Sequence, residues 1–143
     1  MSVHTLQLRS PPDNVDGIHT MLESVWTNAP QISPTHRFSF ETALIELVSN
    51  VFRHGDAGSG VTCIVCVEIS PLRLDATLRD DGIPVPVDLV PSERMPVGQR
   101  VPMPDPLSES ARGLPLIRAL VDVLGYSRDG NYNRWHIVRR LDS

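Results

Sequence analysis

Ala43-Leu44-Ile45-Glu46-Leu47-Val48-Ser49-Asn50-Val51-Phe52-Arg53-His54 is the stretch on which the reading of this chain turns. Leu44, Ile45, Leu47, Val48, Val51 and Phe52 fall within one broad arc at a period of 3.6, the mark of a helix with a buried face. Upstream lies Ser33-Pro34, a cap residue followed by a proline suited to a first turn, so the spacing predicts a helix from about Pro34 to His54. Glu46, Asn50 and His54, each four residues apart, form a stripe on the opposite, polar face. A glutamate there can take a proton or orient water, and an asparagine oxygen is a hard, neutral ligand for Mg²⁺. The same stripe is also what any amphipathic helix shows to solvent.

Working outward, Gly55-Asp56-Ala57-Gly58-Ser59-Gly60 ends the helix and turns the chain. Val61 to Ile69 and Leu72 to Arg79 then read as strands, the second alternating apolar with polar or charged residues, and Ser70-Pro71 between them predicts a hairpin. Residues 84 to 106 hold seven of the thirteen prolines, so neither a helix nor a central strand runs through them. A loop of that length in a compact domain is a functional segment or a disordered one. Arg112-Gly113-Leu114-Pro115 opens a helix expected to continue to about Leu124, and strands at about Gly125–Arg128 and Tyr132–Leu141 follow, joined at Asp129-Gly130-Asn131. In the other direction, Pro11-Pro12-Asp13 opens a helix to about Thr27, with Ile18, Met21, Leu22 and Val25 on one face, behind a short strand from Val3 to Arg9. The order predicts one domain over residues 1–143: an α+β two-layer sandwich, its mixed, mostly antiparallel sheet carrying helices on one face.

Composition narrows the chemistry. The net charge is −4 with both signs dispersed, which gives no footprint for nucleic acid or membrane. With no apolar run near the ~20 residues of a membrane span and no signal-peptide pattern at the start, the expectation is a cytoplasmic protein. All thirteen cationic residues are arginine, which excludes a Walker A lysine, a kinase strand lysine and Schiff-base chemistry. Any phosphate site therefore uses arginine, backbone amides or a metal. Cys63 and Cys66 stand three apart in a strand and face opposite sides, so they are expected neither to pair nor to share zinc.

Two further stretches carry candidate chemistry. Asp80-Asp81-Gly82-Ile83-Pro84 places a carboxylate at a strand end, able to accept from the amino group of adenine, with a glycine two residues on that lets backbone approach the ring. Taken alone, it is equally a turn. Arg112-Gly113-Leu114-Pro115-Leu116-Ile117 feeds a helix start whose free amides attract anions, and Arg112 adds a fork of donors.

In their order and spacing these pieces resemble one family. Ala43–His54 is similar to the N box of the gyrase, histidine kinase and mismatch-repair ATPase superfamily, and Asp80–Pro84 to its first glycine box. Arg112–Asp122 resembles the second glycine box of the anti-sigma serine-kinase branch, and Asn133–Leu141 its closing strand. The resemblance implies an ATP-binding fold with Glu46 as catalytic base and Asn50 as Mg²⁺ ligand. It further implies that Asp80 reads adenine and that Gly82, Gly113 and Leu114 make close contacts with the nucleotide. Arg112 would stand beside the phosphates and an ATP lid at about residues 84–111. His54 and Asp81 match less diagnostic positions. Where the family has glycine before the arginine of the second box, this chain has Ala111. The implied function is a protein serine/threonine kinase that phosphorylates an anti-anti-sigma partner of the STAS type and sequesters a sigma factor, as a homodimer. A non-catalytic ATP-binding or nucleotide-independent partner-binding module of the same fold is the alternative that Ala111 favours.

Overall fold

The computed structural model describes residues 2–86, 90 and 113–141. Along them run β1 (Ser2–Ser10), α1 (Asp16–Thr27), α2 (Pro34–Gly55), β2 (Val61–Ile69), β3 (Arg73–Asp80), α3 (Leu114–Leu120), β4 (Val123–Asp129) and β5 (Tyr132–Arg140). Strand alternation decides the layers. In β2, Val61, Cys63, Val65, Val67 and Ile69 are buried while Ile64 and Glu68 between them are exposed, and β3 buries Leu74, Ala76, Leu78 and Asp80. The helices cover that face, as expected for a two-layer α+β domain.

The strand order is β1-β2-β3-β5-β4, and all four pairings are antiparallel, so the sheet has no parallel pair among the described residues. The expected mixed character is absent for a topological reason. β5 rather than β4 takes the place beside β3, which leaves β4 parallel to β3 but one strand removed from it.

Ser33 caps α2, its hydroxyl accepting from the amide of His36 at 3.3 Å. Phe40, Ala43, Leu44, Leu47, Val48 and Val51 are buried, while Ile45 and Phe52 sit at the margin of the arc and are only partly covered. A buried leucine contributes about 1.5–3 kcal/mol, so this face anchors α2 and with it the stripe on its other side. From α1, Ile18, Leu22 and Val25 join the same core, and Trp26 meets Phe40 edge-on at 6.2 Å.

Two helices differ from their expected lengths. α1 begins at Asp16, not at Pro11–Asp13, because polar side chains hold those residues in turns: the Asp13 carboxylate accepts from the Arg9 amide and Asn14 Oδ1 from the Asp16 amide, both at 2.8 Å. α3 stops at Leu120 rather than about Leu124. Val121 is extended, with Arg118 Nη1 donating to its carbonyl at 2.8 Å, and the Asp122 amide already pairs with Val138 O. The cysteines are free, Cys63 buried and Cys66 half-buried on the opposite face. Of the segment expected as a lid, only Pro84–Pro86 and Val90 are among the described residues; Ala111 and Arg112 lie outside them.

Candidate functional site

The polar stripe of α2 faces the start of α3. Gly113, just before that helix, has φ +68° and ψ 4°. A Cβ on it would stand 3.3 Å from Asn50 Nδ2 and 3.5 Å from Glu46 Oε2. The bare glycine backbone thus lies directly over the two side chains that the helical spacing put one turn apart.

Asn50 is 5% exposed; its Oδ1 accepts from Arg53 Nη2 at 3.0 Å, and its Nδ2 has no hydrogen-bond partner. An unsatisfied buried amide group costs about 1–3 kcal/mol, a cost that needs a reason. Its position under Gly113, beside a carboxylate, supplies one: the amide is aimed at a place where a polar ligand would sit. Among the described residues no cluster of three His, Cys, Asp or Glu could hold a metal by itself. That donor set suits Mg²⁺, which takes one or two protein oxygens and completes its shell with phosphates and water. In Asn50 the atom that could meet a metal is Oδ1, which here accepts from Arg53, while the unpartnered Nδ2 is a donor suited to a phosphate oxygen.

The second half of the site is built at the end of β3. Asp80 is 1% exposed, and its carboxylate accepts from three donors: Gly82 N and Asn133 Nδ2, each at 2.9 Å to Oδ1, and Trp135 Nε1 at 3.2 Å to Oδ2. Burial holds the carboxyl above the usual carboxylate range, helped by the charge of Asp81, while the three donors pull it back part of the way. A carboxylate has about four acceptor positions, so one is left for a ligand donor such as an exocyclic amine.

Gly82 is needed for room. A Cβ there would come within 2.9 Å of Gly55 Cα and 3.0 Å of Gly55 O, where the end of α2 meets the chain leaving β3 and the Ile83 amide donates to Gly55 O at 3.1 Å. Asp81 does structural work: its Oδ1 accepts from the Thr62 amide at 2.8 Å and ties the end of β3 to β2. His54 and Leu114 line the cavity above Asp80 together with Asn50, Ile83, Val85 and Trp135. That cavity is about 20 Å³, room for about one water. Glu46, Asn50, Asp80, Gly82, Gly113 and Leu114 are thus brought to one end of the α2–β3–α3 junction.

Three residues here escaped the reading of the sequence. Asn133 Nδ2 bonds Asp80 and also donates to Ile83 O at 2.9 Å. Asn133 Oδ1 accepts from the Tyr126 hydroxyl at 2.5 Å and from Arg128 Nη1 at 3.1 Å, and the same Arg128 nitrogen donates to Gly82 O at 2.8 Å. Strand register is the signal that would have found them, since Asp80 pairs with Asn133 across β3 and β5.

The family model of the histidine kinase-like ATPase domain matches residues 8–137, and an ATP-binding site is what that description carries, usually with Mg²⁺. No curated protein matches the chain. Because the match runs from β1 into β5 and takes in every residue of the two-part site just described, this chain belongs to the histidine kinase-like ATPase domain family.

Proposed function

We propose that this domain is a protein serine/threonine kinase which phosphorylates an anti-anti-sigma partner of the STAS type and alternately sequesters a sigma factor, acting in the cytoplasm as a homodimer. The observation that carries this reading is the convergence of Glu46 Oε2 and Asn50 Nδ2 on one point beneath Gly113. An orphaned buried amide beside a carboxylate suits a metal-bound triphosphate with a proton acceptor next to it.

In this reading Asp80 takes the adenine amino group with its remaining acceptor position, while Gly82 and Leu114 frame the base. Asn50 Oδ1, once Arg53 releases it, would hold Mg²⁺. The ion, when bound, neutralises charge on the phosphoryl oxygens. Glu46 accepts the proton of a serine or threonine hydroxyl as that oxygen bonds to the γ-phosphorus and the bond to the ADP oxygen breaks. Arg112, outside the described residues, is assigned beside the phosphates by the resemblance. The second reading is a non-catalytic partner-binding module, favoured by Ala111 in the second glycine box.

Calorimetric titration of ATP with Mg²⁺, with GTP as base control, tests the site, and labelled ATP incubated with STAS-domain proteins of the host tests transfer. ATP is expected to bind selectively to wild type, and Asp80→Asn to lose that selectivity because an amide presents donors where adenine must donate. Glu46→Gln is expected to bind ATP and transfer little phosphate. Equal transfer by wild type and Glu46→Gln removes this glutamate from the mechanism, and ATP binding without transfer to any STAS protein favours the second reading.

A further inference from the structure

The Tyr126 hydroxyl sits at the centre of a chain of hydrogen bonds that does more than support Asp80. It donates to Asn133 Oδ1 at 2.5 Å, and it accepts from the Val85 amide at 3.0 Å. Through Asn133 Nδ2 the first bond reaches the Asp80 carboxylate at 2.9 Å. The second fixes the backbone of the chain leaving β3, which is also held at Gly82 O by Arg128 and at Ile83 O by Asn133. Three side chains of the β4–β5 hairpin thus strap residues 82–85 down.

The strap lies over the base pocket. Ile83 and Val85 line the cavity beside Asp80, together with Leu114 and Trp135, and about 20 Å³ admits a water but not a purine. The lining must give way for a base to reach Asp80, and Ile83 and Val85 are the part of it that the hairpin straps. Ile83 is tied on two sides, to Gly55 O through its amide and to Asn133 through its carbonyl, whereas among the described residues the polar tie at Val85 is the Tyr126 hydroxyl. Among the described residues Val85 is thus the end of the strap with the single neutral hydrogen bond, its side chain resting half-buried against the core.

We infer that Tyr126 is a positioning residue and the clasp of the base pocket: its hydroxyl holds Val85 closed over Asp80, and a nucleotide base enters by releasing that bond. The inference rests on the nucleotide reading of the site. The ring of Tyr126 packs on Trp135 with centroids 4.5 Å apart, so Tyr126→Phe keeps the packing and removes the clasp together with the bond to Asn133 Oδ1, which Arg128 Nη1 still serves.

The test is amide hydrogen exchange at Val85 with and without saturating ADP, combined with stopped-flow association of ADP, in wild type and Tyr126→Phe. The Val85 amide is expected to be protected in nucleotide-free wild type, and unprotected both in wild type with ADP and in Tyr126→Phe. ADP is expected to associate roughly fivefold faster with the variant, the equivalent of one neutral hydrogen bond. A mere packing role would leave Val85 exchange unchanged in the variant. ADP bound to wild type with Val85 still protected overturns the clasp and spares the nucleotide site. Failure of wild type to bind ADP at any concentration overturns the nucleotide reading and this inference with it.

Discussion

Gly113 is fixed by two independent requirements. At φ +68° an L-residue pays about 1–2 kcal/mol, and any Cβ would project onto Asn50 Nδ2 and Glu46 Oε2. Gly113→Ala is therefore expected to lower unfolding free energy by about 1–2 kcal/mol in urea titration and to abolish ATP binding at temperatures where the variant is still folded. A variant that binds ATP like wild type would show that ligand does not occupy the space under Gly113. At this scale much of the site was legible, because Glu46, Asn50 and His54 follow from helical spacing and Asp80-Asp81-Gly82 from its place after a strand. The division of labour within that triplet was not legible. Asp80 and Asp81 look equivalent as letters, yet one points into the core while the other caps a neighbouring strand from outside.

Among the elements, β2 was read to its last residue and the α3–β4 junction was not. β2 announces itself by alternation, whereas the boundary of α3 is decided by Arg118 capping Val121 and by Asp122 pairing with Val138, contacts that depend on the tertiary fold. The same dependence hid Asn133, Tyr126 and Arg128. The Asp129-Gly130-Asn131 turn sets the register of β4 on β5, but which strand lies next to β5 is a property of the whole sheet. The alternation in β2 carries a prediction of its own. Burial, with Asp80 and Asp81 near it, pushes the Cys63 thiol well up, so it stays protonated and shielded, while Cys66 on the open face is half-exposed. Thiol titration at neutral pH is expected to label Cys66 in the native protein and Cys63 only after denaturation. Rapid native labelling of Cys63 would contradict the register of β2.

For the molecule as a whole, the buried carboxylate of Asp80 sets stability against binding. Its pKa is raised on folding, above an unfolded value of about 3.9, mainly by burial. Between those two values the folded chain holds a proton that the unfolded chain has lost. The stability contribution of the protonated group is therefore complete below about pH 3.9 and is lost as pH rises through the folded pKa. Among the described residues one carboxylate acts with the opposite sign. The Asp56 carboxyl is held below its usual range by the amides of Gly58 and Gly60, so the effect has to be isolated by difference. The unfolding free energy of Asp80→Asn minus that of wild type is expected to climb with pH above about 4 and to level off beyond the folded pKa, with a slope no steeper than about 1.4 kcal/mol per pH unit. A flat difference would mean that Asp80 titrates normally. Saturating ADP should reverse the trend in wild type, because an adenine amino group selects the ionised carboxylate and the ligand's stabilising effect then grows as pH rises through the same window. Burial of Asp80 thus favours the protonated carboxyl in the ligand-free fold, and the same low-dielectric surroundings strengthen a hydrogen bond that a base makes to the ionised form.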